Sequence, residues 1–281
     1  MNGRRFAVVG DPVAHSRSPA MHAAAYRVLG LDHRYEMVRA GAGDLAGVVA
    51  ALREGTYDGL NITVPHKQRV LELVDELAPS AQAVGAANTL VRTPNGRITA
   101  HNTDAPALAA ELERIAEPAF AWSNGHGLVL GSGGAARAAI AAFAQLGVKE
   151  IFVRARAFAD GAAREAFVRT APAPVVGEPW RAAASTDGRT IAIVQATSAG
   201  MKGADPGEAA VAAVDWSALP DAAVAIDVVY EPRDTPFLRA ARGRGLRCDD
   251  GRGMLARQGA LAFELWLGVP APLDAMRAVL G

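Results

Sequence analysis

Short apolar runs recur along the chain, separated by longer stretches with helical spacing. Phe6–Val9, Tyr35–Val38, Leu60–Thr63, Thr89–Arg92, Leu128–Leu130, Ile151–Val153, Ile191–Val194 and Val224–Val228 are the runs, and their length and near-continuous apolar character suit strands covered on both faces. Between them, alanine- and leucine-rich segments read as helices. In Pro106–Ala116, Leu108, Leu112 and Ile115 fall four and three apart on one face, and Pro106 suits a first-turn position. Gly125-His126-Gly127 closes a loop, after which Leu128–Leu130 opens a fresh strand–helix–strand unit. Near the end, Met254, Gln258, Leu261 and Leu265 share one stripe of a predicted helix from Met254 to Leu267, which sets the amide of Gln258 on an apolar face. A buried amide needs a partner, either backbone or a ligand. Strands alternating with helices predict an α/β fold with largely parallel, doubly wound sheets.

At 281 residues the chain exceeds one ordinary core, and two domains of roughly 100 to 150 residues are expected. The predicted helix Pro106–Ala116 leaves the first domain, and the strand Leu128–Leu130 begins the sheet of the second.

Composition narrows the function class. Hydrophobic residues make up 51% of the chain and charged ones 21%, with no apolar run near the roughly 20 residues that span a bilayer. Lys plus Arg and Asp plus Glu both total 29, a formal net charge of zero, whereas nucleic-acid binding shows as a basic excess or stripe. Neither nucleic acid nor a membrane is an expected partner. Cys248 is the single cysteine, and the six histidines lack the paired spacing of a structural zinc site, so no metal is expected. Met1–Arg5 leads into an apolar run that Gly10 and Pro12 end too soon for a signal peptide. A reducing, cytoplasmic setting is the expectation.

The strand ending at Leu130 runs directly into Gly131-Ser132-Gly133-Gly134-Ala135-Ala136 and then an alanine-rich helical stretch to Gln145. This is the context a dinucleotide fingerprint requires. The first glycine permits a tight turn, the second lets backbone approach a pyrophosphate, and Ala136 allows close packing of helix on strand. Helix N-terminal amides then face the phosphates. Where an NAD site usually places a carboxylate for the ribose, this chain has Arg154-Ala155-Arg156. Guanidinium groups can chelate a 2′-phosphate, which favours NADP over NAD; solvated surface charges are the alternative for both arginines.

Four further stretches carry polar residues where a core would not choose them. Gly10–Pro19 includes His15, Ser16 and Ser18, and Gly59–Lys67 includes Asn61, Thr63 and Lys67. Gly85–Thr89 carries Asn88, and His101–Asp104 ends on Asp104. The first two follow strand ends, where ligands bind in open α/β sheets. Together with Gln195–Met201, Asp227–Pro232 followed by Thr235-Pro236, and Gly251–Leu255 with Gln258, these stretches resemble the shikimate dehydrogenase family in order and across nearly the whole chain.

The resemblance implies an N-terminal, mostly parallel α/β domain for substrate, residues 1–104 with about 251–281 returning to it. A Rossmann-type NADP domain would span 105–250. It implies reversible NADPH-dependent reduction of 3-dehydroshikimate to shikimate, in chorismate and aromatic amino-acid biosynthesis, by a monomer or homodimer. Lys67 and Asp104 match the family's catalytic pair. Ser16 and Ser18 match its contacts to the substrate carboxylate, and Asn61, Thr63, Asn88, Tyr230 and Gln258 complete the pocket, which Lys67 and Asp104 share. Gly131, Ser132, Gly133, Gly134, Ala135, Arg154, Ala155, Arg156, Thr197, Val228 and Gly251 would meet the cofactor. Relatives acting on quinate or aminoshikimate, and a non-catalytic NADPH sensor, are the competing readings. The chain departs from the pattern at Ala105-Pro106-Ala107, where glycine is common, and at Ala155, where asparagine is frequent. Chemistry supports the pair on its own terms: hydride addition to a ketone builds negative charge on oxygen, so a cation or proton donor there lowers the barrier. Placed after Pro65, Lys67 is expected in a helix's first turn, where the macrodipole opposes its charge while Asp104 favours it.

Overall fold

A computed structural model describes residues 3–180 and 188–281. The chain divides into two compact units, Met1–Asp104 with Leu255–Gly281, and Ala105–Met254. Both passages from one unit to the other fall inside helices, Asp104–Ile115 and Arg252–Leu267.

The first unit is built on six strands: β1 (Arg5–Gly10), β2 (Arg34–Arg39), β3 (Gly59–Ile62), β4 (Glu76–Leu77), β5 (Thr89–Arg92) and β6 (Ile98–His101). Their order is β2-β1-β3-β5-β6-β4, and only β5 runs against its neighbours. Val9, Leu60, Ile62, Leu90 and Ile98 bury one face under helix Leu45–Arg53 through Val49 and Leu52. An aromatic cluster of Phe6, Tyr26, Phe263 and Trp266 fills another part of the unit with helices Ser18–Val28 and Arg252–Leu267. Phe6 and Trp266 stack at 4.8 Å between ring centroids. Gly59 is required there, because a Cβ would lie 2.3 Å from Trp266 Nε1.

The second unit has β7 (His126–Leu130), β8 (Glu150–Ala155), β9 (Val176–Pro179), β10 (Thr190–Gln195), β11 (Val224–Asp227) and β12 (Arg247–Asp249). All pair in parallel, in the order β12-β11-β10-β7-β8-β9. Read from the other edge this is the dinucleotide-binding strand order, whose direction reverses between β7 and β10. Helices cover both faces. Ile140 and Phe143 of helix Gly134–Gln145 pack with Val129, Val153 and Val194, while Phe237 and Leu238 pack with Leu128, Leu130 and Ile193 on the other side. Every predicted strand is present within a residue or two, and the α/β class with two parallel-rich sheets is the observed architecture.

Two expectations change. Lys67 lies in a turn, and only a short 3₁₀ helix, Arg69–Glu72, follows it, so no α-helix macrodipole opposes its charge. The C-terminal helix does not bury the single stripe of Met254, Gln258, Leu261 and Leu265: Leu265 is exposed, whereas Ala256, Ala260, Ala262, Phe263 and Trp266 are buried. Small residues let neighbours approach this helix closely, as Gly259 does for Met21, whose methyl group would sit 2.2 Å from an added Cβ. The buried surface therefore extends beyond one leucine stripe.

Candidate active site

In the first unit, a polar network lies at the ends of β3, β5 and β6. Lys67 Nζ donates to Asp104 Oδ2 at 2.7 Å, with the lysine side chain 15% exposed and the aspartate 5%. The other carboxylate oxygen, Asp104 Oδ1, accepts from Asn88 Nδ2 at 2.9 Å. The same Asn88 amide donates to Thr103 Oγ1 at 2.8 Å and lies 3.2 Å from Gln258 Oε1. Gln258 Nε2 donates to the Leu255 carbonyl at 2.8 Å. Its amide thus has both a backbone partner and a side-chain partner.

Asn61 joins this network through backbone and side chain. Its Nδ2 donates to the Asn88 carbonyl at 3.0 Å and to Thr89 Oγ1 at 3.1 Å, and its Oδ1 accepts from the Tyr35 hydroxyl at 2.7 Å. Thr63 follows the end of β3 and is partly exposed; it packs so closely on Gly10 that an added Cβ there would meet Thr63 Cγ2 at 2.4 Å. Ser16 and Ser18 follow β1, and the Ser18 amide donates to Ser16 Oγ at 3.3 Å. Ser18 is buried at the start of its helix. Cis peptide bonds at Asp11-Pro12 and Val64-Pro65 lie in these same loops. The arrangement gathers a part-buried ammonium–carboxylate pair with two primary amides in reach, a set able to meet a ring bearing several hydroxyls.

In the second unit, the glycine loop leaves β7 where the strand order reverses. Gly131 has φ +122°, and a Cβ there would lie 3.0 Å from the Ala196 carbonyl; its amide donates to the Arg154 carbonyl at 2.7 Å. Gly133 stands at the N-cap of helix Gly134–Gln145, and an added Cβ would meet nothing within 4 Å. No side chain caps that helix, and its first-turn amides lack partners within the helix itself, as at any helix start. Ala136 is fully buried against the strand, as the fingerprint requires.

The two arginines divide. Arg154 is 2% exposed; Nε donates to Glu178 Oε2 at 3.0 Å and Nη1 to the Ala213 carbonyl. It sits directly opposite Glu178 in the β8–β9 register. Its expected place at the cofactor is thereby corrected: the side chain is enclosed in the protein's own ion pair. Arg156 opens a short 3₁₀ helix with its side chain 65% exposed, and Nη1 lies 3.4 Å from Asp205 Oδ2. Ala155 between them is buried.

Thr197, Val228 and Gly251 follow strands β10, β11 and β12. Gln195 Oε1 accepts from the Thr197 amide at 2.6 Å and its hydroxyl at 2.7 Å, and Gln195 Nε2 donates to the Ala199 carbonyl at 2.9 Å and approaches Asp227 Oδ1 at 3.3 Å. Asp227, fully buried, also accepts from the Val229 amide at 2.9 Å and the Thr235 hydroxyl at 2.6 Å. Burial, opposed by those two hydrogen bonds and aided by nearby Asp250, pushes the Asp227 carboxyl up to about 7. Gly251 approaches the Val228 carbonyl so closely that a Cβ would lie 2.1 Å from it. Tyr230 lies in this second unit. Among the described residues no cluster of His, Cys, Asp and Glu could hold a metal ion, and no helix is long and apolar enough to cross a membrane.

A family model described as the shikimate dehydrogenase substrate binding domain matches residues 8–90, and one described as the shikimate 5'-dehydrogenase C-terminal domain matches residues 251–280. Shikimate dehydrogenase (NADP(+)) of Methylobacterium radiotolerans is 41% identical over 266 residues, covering 94% of this chain and 91% of that protein. The chain belongs to the shikimate dehydrogenase family. Among solved members, the Thermus thermophilus enzyme in complex with NADP(H) and shikimate gives a TM-score of 0.81 at 35% identity, over 99% of this chain and 98% of that one. The quinate dehydrogenase of Corynebacterium glutamicum in complex with NAD gives 0.81 at 30% identity, over 98% of each chain.

Within this family member, residues outside the expected set bond to the expected ones in both units. Thr89 and Thr103 bridge Asn61 and Asn88, and Gln195, Asp227 and Thr235 hold the segments bearing Thr197 and Val228. The signal that marks them in the sequence is a polar residue closing an otherwise apolar strand, as at Gln195 and Asp227.

Proposed function

We propose that this protein catalyses the reversible NADPH-dependent reduction of 3-dehydroshikimate to shikimate. The observation that carries the reading is the part-buried Lys67–Asp104 pair, tied through Asn88 to Gln258. The first unit holds the substrate and the second the cofactor. Ser16 and Ser18 take the substrate carboxylate, and Asn61, Thr63, Asn88 and Gln258 take its ring hydroxyls. Lys67 presents its ammonium to the carbonyl oxygen, where negative charge grows during reduction, and Nζ holds the proton nearest that oxygen. Asp104 fixes the direction of the ammonium and accepts from a ring hydroxyl, since a carboxylate oxygen has more than one acceptor site.

NADP fits the second unit, where Gly133 has nothing within 4 Å of an added Cβ and no side chain caps the helix that follows; a pyrophosphate would take that helix start. Bound as NADPH, it would supply the hydride. Gly131, Ser132, Gly133, Gly134 and Ala135 would hold the phosphates, Arg156 the 2′-phosphate beside Ala155, and Thr197, Val228 and Gly251 the remainder. We place the enzyme in the cytoplasm as a monomer or homodimer, a setting in keeping with its single cysteine.

A steady-state assay of shikimate and quinate oxidation, each with NADP⁺ and NAD⁺, tests substrate, reaction and cofactor together. Fastest turnover is expected for shikimate with NADP⁺. Faster turnover of quinate would move the protein to the quinate branch, and cofactor binding with no shikimate-dependent NADPH formation would make it a sensor.

A further inference from the structure

Asn61 has little hydrogen-bonding capacity left to offer. Both of its amide hydrogens are engaged, one by the Asn88 carbonyl and one by Thr89 Oγ1, and one Oδ1 lone pair is taken by the Tyr35 hydroxyl. An amide oxygen has two lone pairs, so a single acceptor position remains. The orientation of the amide is unambiguous, because the Asn88 carbonyl can only accept.

Tyr35 reaches Asn61 from two strands away. In register, Tyr35 on β2 lies opposite Phe6 on β1, which lies opposite Gly59 on β3; Asn61 is two residues on, so both side chains stand on one face of the sheet. The Tyr35 ring is held from behind by His22, stacked at 4.2 Å between centroids with planes 6° apart. His22 is fully buried, 5.6 Å from the Trp266 ring and 6.3 Å from Phe263. Burial drives its imidazole down to about 3, so the platform under Tyr35 stays neutral near physiological pH.

We propose that Tyr35 is a positioning residue of the substrate site, its hydroxyl fixing Asn61 Oδ1 so that Asn61 presents one acceptor to a substrate hydroxyl that must donate. This rests on the reading of Asn61 as a substrate contact. Without the hydroxyl, Asn61 keeps its two donor bonds yet loses the bond that sets the tilt of its oxygen. The effect belongs to substrate binding and leaves the cofactor site in the second unit alone.

The test uses Tyr35→Phe, Asn61→Ala and the double variant in the full-length enzyme. Phe keeps the ring on His22, so melting temperature checks that the unit is intact. Loss of one hydrogen bond is expected to raise the shikimate KM of Tyr35→Phe roughly 3- to 10-fold, with kcat changed less than about twofold and NADP⁺ affinity, read by titration calorimetry, unchanged. In the double variant the Tyr35→Phe effect should vanish, because residues acting through one another are non-additive. If Asn61→Ala raises KM while Tyr35→Phe leaves it at wild type, or if the two effects add, Tyr35 has no positioning role. If Asn61→Ala itself leaves KM unchanged, the reading of Asn61 as a substrate contact fails instead. Should Tyr35→Phe melt far below wild type, calorimetric shikimate binding at low temperature replaces the kinetic comparison, with the same outcomes deciding.

Discussion

Arg154 and Arg156 are two residues apart in sequence and should respond to mutation in opposite ways. Arg154 is buried against Glu178, whose side chain is 15% exposed. Removing the carboxylate with Glu178→Ala takes one charge of a buried pair from the other, a loss on the order of 3 to 5 kcal/mol. At roughly 2 to 4 °C per kcal/mol for chains of 150 to 250 residues, the melting temperature of the second unit should fall by about 6 to 20 °C. Arg154→Met is expected to cost less, because Glu178 then faces some water, although the Ala213 carbonyl loses its donor at about 1 to 3 kcal/mol. The double variant Arg154→Met with Glu178→Leu should recover much of the Glu178→Ala loss, since a buried ion pair exchanged for apolar side chains is often neutral. Neither Arg154→Met nor the double variant should alter the ratio of NADP⁺ to NAD⁺ affinity. Arg156→Ala should do the reverse: unchanged melting, NAD⁺ binding intact, and NADP⁺ binding weaker by about 10- to 10²-fold, the scale of charge-assisted hydrogen bonds to a phosphate. Calorimetric unfolding and cofactor titrations on the four variants give both readouts. If Arg154→Met weakens NADP⁺ selectively and leaves melting untouched, the burial argument is refuted and Arg154 reads the phosphate.

Three more outcomes are expected. Lys67→Ala should lower turnover by roughly 10²-fold or more with NADP⁺ affinity unchanged; wild-type turnover would remove Lys67 from the chemistry. Asp227 keeps its proton up to about 7 when folded against 3.8 as the ordinary value, so folding takes up a proton between those values. Its stabilising contribution is full below about 4 and is lost as pH rises through 7. Melting curves of wild type and Asp227→Asn from about pH 4 to 9 should therefore diverge across that window, and a constant difference would contradict the assignment. Gly131→Ala places a Cβ 3.0 Å from the Ala196 carbonyl at φ +122°, and should cost about 1 to 3 kcal/mol together with NADP⁺ affinity; equal melting temperatures would show that the loop relaxes freely.

The Lys67, Asn88, Asp104 and Gln258 set was legible because each residue interrupts an apolar or turn pattern with a group that a core does not choose. Eight strands were legible for the same reason in reverse, as continuous apolar runs. Strands β4, β9 and β12 were not, and all three are at sheet edges, short, and carry at most one apolar residue each, such as Val-Gly-Glu-Pro in β9. Edge strands need little apolar character. β6 is four residues long with alternating burial and merges into the polar motif that follows it. The omission of β9 explains the misplacement of Arg154: without a strand to carry Glu178 opposite it, a lone arginine at a strand end reads as solvent-facing. Tyr35 escaped notice because an aromatic within an apolar run looks like packing, and its bond to Asn61 depends on strand order, which no local pattern encodes.

The first unit is assembled from both ends of the chain, and Phe6 waits for Trp266 to complete its stack. On the ribosome, all of residues 105–254 are made before the segment Leu255–Gly281 exists. At about 5 to 20 residues per second, that segment takes roughly 1 to 5 seconds to synthesise. The second unit therefore has its whole sequence first, while the early strands of the first unit stand without Gln258, Phe263 and Trp266. A released chain truncated after Met254 should hold a protease-resistant second unit beside an unprotected amino-terminal one.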